Sequence, residues 1–127
     1  MPTYTPGEVS DKTGFSLDTL RYYERIGLLG AVTRQANGHR TFGPRDVEWV
    51  EFLHRLRSTG MGISEMLRYA ELRARGDCTL AERQAMLVRH ADALAASLRV
   101  QQAHLRVVRQ KIAIYDALID ESTMALT

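Results

Sequence analysis

The chain has 127 residues, 17 of them Lys or Arg and 15 Asp or Glu, for a formal net charge of +2. That length suits one modest domain, or a domain plus one long element. The near balance of charge gives no electrostatic sign of nucleic acid by itself. One cysteine rules out an internal disulfide, and with no apolar run long enough to span a bilayer and no charged-then-apolar leader, the chain reads as soluble and cytoplasmic.

Thr5-Pro6-Gly7-Glu8 opens the first element: a capping Thr, a Pro at the first helical position and a Glu three residues after the cap. This helix is expected to end near Thr13, with Gly14 closing it in the left-handed conformation. Ser16 then caps a second helix, and Phe15 and Leu20 stand at staple spacing around that cap. Two short helices joined by a short Gly-containing turn form a helix-turn-helix. With Leu20 set inward, Asp18, Thr19, Tyr22 and Arg25 fall on the opposite face. An outward aromatic hydroxyl flanked by Arg21 and Arg25 suits phosphate oxygens and base edges. The helix stops at Gly27.

Val32-Thr33-Arg34 and His39-Arg40-Thr41-Phe42 read as two short strands around Gln35-Ala36-Asn37-Gly38, because Asn-Gly is a strong hairpin signal. A ribbon beside a recognition helix is a wing, and it can lay Arg34, His39 and Arg40 along a phosphate backbone. Residues 16–40 carry four arginines against Asp18 and Glu24, so the positive charge is concentrated there. Pro44 opens a third helix whose Val47, Trp49, Val50, Phe52, Leu53 and Leu56 recur at helical spacing as core. Gly60 and Gly62 break it, and Ser64 begins a short helix with Met66, Leu67, Tyr69 and Ala70 available for packing.

Gly76-Asp77 marks the next boundary, and Thr79 with Glu82 forms a second capping box. Beyond it Leu80, Gln84, Leu87, Ala91, Leu94, Leu98, Gln101, Leu105, Val108, Ile112, Tyr115 and Ile119 alternate steps of four and three. This is a heptad seam on one unbroken helix of roughly 60 Å, and dimerisation is its simplest use. Gln101 on the seam suits fixing register. Met86, Val88, Val100, Val107 and Ile114 offer a second apolar face. The expected division is 1–76 for a winged helix-turn-helix domain with two accessory helices, 77–120 for the dimerisation helix and 121–127 for a short tail. The fold class is mainly α.

Thr19-Leu20-Arg21-Tyr22-Tyr23-Glu24-Arg25-Ile26-Gly27-Leu28-Leu29, with Gly38-His39-Arg40, Pro44-Arg45-Asp46-Val47 and Leu56-Arg57-Ser58-Thr59-Gly60-Met61, resembles the MerR family of bacterial transcription regulators. The resemblance covers nearly the whole chain. It implies a homodimer that binds promoter DNA through Ser16, Thr19, Arg21, Tyr22, Tyr23, Arg34, His39 and Arg40. It also implies that the dimer bends and untwists the duplex in response to a small effector, so that RNA polymerase can engage both promoter elements. The family usually carries an aromatic where His39 stands. Chaperone modulators of the same architecture hold a protein partner instead, without needing Arg21, Tyr22 and Arg40 together.

Cys78, immediately before the long helix, stands beside the positive end of a helix dipole, where a thiol sensor would be favoured. It also reads, and more simply, as an unreactive small residue in a linker. One thiol with His90 and His104 is a poor zinc set and cannot hold an iron-sulfur cluster, so neither metal nor cofactor is expected. An aldehyde-sensing branch of the family carries a thiol in the Trp49 to Arg57 helix, near where Arg55 stands here. No nucleophile-base pair, carboxylate pair or phosphate-cradling loop occurs at useful spacing, so the chain is not read as an enzyme.

Overall fold

A computed structural model describes residues 2–30, 33–34 and 40–125, with the backbone alone at 33, 34 and 40. Helix α1, Pro6–Thr13, begins as the sequence requires. The Thr5 hydroxyl accepts from the Glu8 amide at 3.2 Å, while the Glu8 carboxylate accepts from the Thr5 amide at 3.2 Å. Two of the orphan donors at the helix start are thereby satisfied. Gly14 closes the helix at φ 87°. The Ser10 hydroxyl donates to the Phe15 carbonyl at 2.6 Å, which ties the turn back onto α1.

Helix α2, Leu17–Arg25, starts at the Ser16 cap. Strands β1, Thr33–Arg34, and β2, Arg40–Thr41, pair antiparallel with Thr33 opposite Thr41 and Arg34 opposite Arg40. Val32, Gln35, Ala36, Asn37, Gly38 and His39 lie outside the described residues. Phe42 lies just past β2, and its expected place in the ladder opposite Val32 falls outside the described residues. It exchanges two backbone hydrogen bonds with Tyr4, at 2.8 and 2.9 Å.

Helix α3, Pro44–Ser58, buries Val47, Trp49, Val50, Leu53 and Leu56. Helix α4, Ile63–Arg75, begins one residue earlier than expected and buries Met66, Tyr69 and Leu72. A 3₁₀ turn, Asp77–Thr79, leads into α5, Leu80–Ala125. The core is one cluster that runs from Val9, Phe15 and Leu20 through Val50 and Leu53 to Leu72 and Met86. Complete burial of a Leu or Val contributes about 1.5–3 kcal/mol, so this cluster supplies the main driving force that holds α2 in place.

One expectation needs correcting. The Thr79 hydroxyl does not turn forward to cap α5: it lies 2.6 Å from the Leu72 carbonyl and 2.8 Å from that of Gly76, and accepts from Arg83 Nε at 3.1 Å. Glu82 meanwhile sits 3.6 Å from Arg68. Buried Thr79 thus serves the carbonyls at the end of α4, which would otherwise lack partners. By compactness the first unit extends to Val88, since Met86 belongs to its core and Leu87 packs on it. The second unit begins at Arg89, and α5 remains helical through residues 121–125, where a tail was expected.

Candidate nucleic-acid interface

The outer face of α2 is built by local chemistry at its start. The Ser16 side chain accepts from the Thr19 amide at 3.1 Å, and the two hydroxyls lie 2.9 Å apart. Ser16 therefore fixes the helix start, and Thr19 stands half-exposed one turn in. Arg21 is exposed and lies 3.5 Å from the still more exposed Asp18. Surface pairs of this kind contribute little, about 0–1 kcal/mol, so the guanidinium is free to exchange its partner. Tyr22 is 40% exposed, with the Arg25 guanidinium 5.6 Å from its ring centre.

Tyr23, a DNA contact by resemblance, sits differently from Tyr22. It is 3% exposed, and its ring meets Phe15 edge to face at 5.1 Å. Tyr22 and Tyr23 are neighbours on a helix, so about 100° separates them and only one can face outward when the other meets the core. Burial raises the Tyr23 phenol above its ordinary pKa, and the nearby Arg57 guanidinium partly opposes that shift by charge and by hydrogen bonding. The phenol remains a neutral core group that holds α2 against α3.

Two aromatic supports hold α2 from below. Near its start, Phe15 also packs against the His54 ring at 4.7 Å. After its end, the Trp49 indole N–H donates to the Leu28 carbonyl at 2.9 Å. Trp49 is itself stacked on Tyr69 at 5.8 Å and covered by the Arg73 guanidinium at 4.1 Å. The Leu28 amide returns to the Tyr23 carbonyl at 2.8 Å, which closes the turn through Gly27. The Arg57 and Trp49 supports are long-range contacts, and the sequence offered only their aromatic and basic character as a signal.

Arg34 and Arg40 stand opposite each other in the ladder, whereas His39 lies outside the described residues. Cys78 is exposed in the 3₁₀ turn, with Sγ 3.8 Å from the Arg75 carbonyl. Among the described residues no group of three or more His, Cys, Asp or Glu is placed to hold a metal ion, and no helix is long and apolar enough to cross a membrane. Leu80, Leu98, Leu105, Val108, Ile112, Tyr115 and Ile119 of the seam are each between 47% and 61% exposed. Ala91 and Gln101 are exposed as well, while Leu87 and Leu94 are half-buried.

Comparison with known proteins places this arrangement in context. A model of the MerR HTH family of regulatory proteins matches residues 4–72. An HTH-type transcriptional regulator of Haemophilus influenzae is 33% identical over 113 residues, 89% of this chain and 84% of that one. The HTH-type transcriptional regulator AdhR of Bacillus subtilis is 36% identical over 80 residues, 63% of this chain and 57% of that one. Among solved structures, HiNmlR, a MerR family regulator lacking the sensor domain and bound to promoter DNA, superposes with a TM-score of 0.85 at 32% identity. That match covers 91% of this chain and 87% of HiNmlR. A MerR family regulator from Listeria monocytogenes superposes at 0.87 with 34% identity, covering 97% and 93% of the two chains.

Proposed function

This chain belongs to the MerR family of helix-turn-helix transcriptional regulators, which are DNA-binding proteins and not enzymes, and on that premise we propose that it binds promoter DNA as a homodimer and distorts it in response to an effector. The observation that carries this reading is the division of α2: Leu20 and Tyr23 are locked in the core while Arg21, Tyr22 and Arg25 stand outward. A rigid helix with donors on its outer face is what groove and backbone recognition require. Ser16 and Thr19 sit at its leading end, where recognition helices approach bases. The β1–β2 ribbon serves as the wing, with Arg34, Arg40 and His39 on the phosphate backbone.

The half-exposed seam of α5 supports pairing of two chains, since apolar residues repeated at heptad spacing are covered by a partner helix. Two reading heads on one two-fold axis then address half-sites separated by whole turns of the duplex. Bending a short site costs about 1–6 kcal/mol, which contacts from both heads and both wings offset. RNA polymerase is the protein partner on such a promoter, and the cytoplasm is the compartment. An effector acts only through different affinities for the bent and relaxed states. Cys78 is exposed at the junction before α5 and is the thiol through which an oxidant or electrophile would act.

Titration of a promoter duplex across salt concentrations tests the contacts. Arg21→Ala is expected to cost about 1–3 kcal/mol on the specific site alone, whereas Arg40→Ala weakens all duplexes and lowers the salt slope by about one. If both variants bind like the parent at every salt concentration, the assignment of α2 and the ribbon to DNA fails.

A further inference from the structure

The side chain that points most directly away from the buried side of α2 is an acid. Leu20 and Tyr23, each 3% exposed, mark that buried side, and at about 100° per residue Asp18 falls opposite the midline between them. Its side chain is 94% exposed. Arg25 stands two turns on along the same line, with Arg21 and Tyr22 to either side. A carboxylate at the centre of a face that meets a polyanion weakens binding by like-charge repulsion unless it finds a donor. Phosphates offer none, and in the major groove the donors are cytosine N4 and adenine N6 alone. The helix dipole favours an acid anywhere in the first turn, but it does not call for one on the outermost line.

Asp18 also has a fixed companion. Its Oδ1 lies 3.5 Å from Nη1 of Arg21, so an acceptor and a donor fork stand side by side near the start of the helix. The major-groove edge of a G·C pair carries the complement: two acceptors, guanine N7 and O6, beside one donor, cytosine N4. An A·T pair does not match, because its single donor, adenine N6, lies between the acceptors adenine N7 and thymine O4. We infer that Asp18 is a specificity-determining residue, accepting from cytosine N4 of one G·C pair in each half-site while Arg21 donates to N7 and O6 of the guanine. The contact between the two side chains already holds the guanidinium toward the helix start, so less freedom is lost when both meet the base pair. The acid thereby exchanges general affinity for discrimination, since every other sequence meets its charge without the compensating donor.

This inference rests on the reading that α2 enters the groove, so the test separates the two. Selection of bound duplexes from a randomised pool by the full chain is expected to fix a G·C pair in each half-site, and replacing that pair by A·T should weaken the parent about tenfold or more. Asp18→Ala, at an exposed position, is expected to bind random duplexes more tightly than the parent while losing most of the discrimination at that one pair. Asp18→Asn, whose amide both donates and accepts, should move the preference at the same pair toward adenine. The double variant with Arg21→Ala should discriminate there no worse than the more damaged single variant, as expected of two groups that read one pair. Selected sites without a fixed G·C pair overturn the inference. So does an Asp18→Ala variant whose affinity changes by one common factor on every duplex, because the carboxylate then acts only through charge or the helix dipole. A parent that enriches no sequence and binds duplexes no differently from Arg21→Ala and Arg40→Ala would instead sink the DNA reading underneath.

Discussion

Leu53 on α3 is fully buried within its own chain, whereas Leu105 on α5 remains 47% exposed. The same side chain is thus used in two ways. In the unit ending at Val88, helices and turns enclose one another, and the gain from apolar burial is realised by a single molecule. In the unit beginning at Arg89 a lone helix leaves leucines and valines about half-exposed, and in the proposed dimer a second molecule covers them. Stability of the first unit should therefore be a property of the sequence, and stability of the second a property of concentration.

The sharpest way to break that contrast is Leu53→Ala. It is expected to cost about 2–5 kcal/mol, lowering the melting temperature at every protein concentration while the sedimentation profile of the folded protein stays unchanged. For the parent, the helical signal from α5 should melt at temperatures that rise with concentration, as linkage to association requires. A concentration-independent melt of the whole chain would erase the distinction between the units.

A smaller effect is expected from Gly14→Ala. The left-handed φ of 87° costs an L-residue about 1–2 kcal/mol, and the new Cβ would stand 3.3 Å from His54 Nε2. Chemical denaturation should show the loss, and promoter affinity should fall with it, because the turn sets the angle of α2. Unchanged stability would mean that the turn relaxes freely and does not position the helix.

The smallest expected effect concerns pH. The folded Tyr23 phenol has a pKa above its unfolded value, chiefly through burial. Its contribution is fully present below the unfolded pKa and is lost as pH rises through the folded one. Parent protein should lose stability on the alkaline side more steeply than Tyr23→Phe, which has no proton to release. Parallel alkaline profiles in thermal melts would place the ring outside the core.

Much of the first unit was legible because its signals are local. Thr5, Pro6 and Glu8 mark a helix start within four residues, as do Ser16 and Pro44, and the heptad steps of α5 can be read without a partner in view. What escaped depended on distance or on choice. The Tyr4–Phe42 bridge joins segments far apart in sequence, and nothing local at either residue requires it. Thr79 met a capping pattern, yet the carbonyls at the end of α4 held its hydroxyl more closely than the start of α5 did. Adjacent Tyr22 and Tyr23 share one chemistry; the i, i+3 spacing from Leu20 turns Tyr23 inward, and the edge-to-face contact with Phe15 holds it there.

Trp49 is the sole tryptophan. Its indole is hydrogen-bonded to Leu28, stacked on Tyr69 and capped by Arg73. All of the chain's indole fluorescence therefore arises at the joint where the backbone leaves α2. Any rearrangement that tilts that helix must disturb the hydrogen bond or the stack, and with it the emission. The protein carries its own optical gauge of the angle at which it meets DNA, readable without a label.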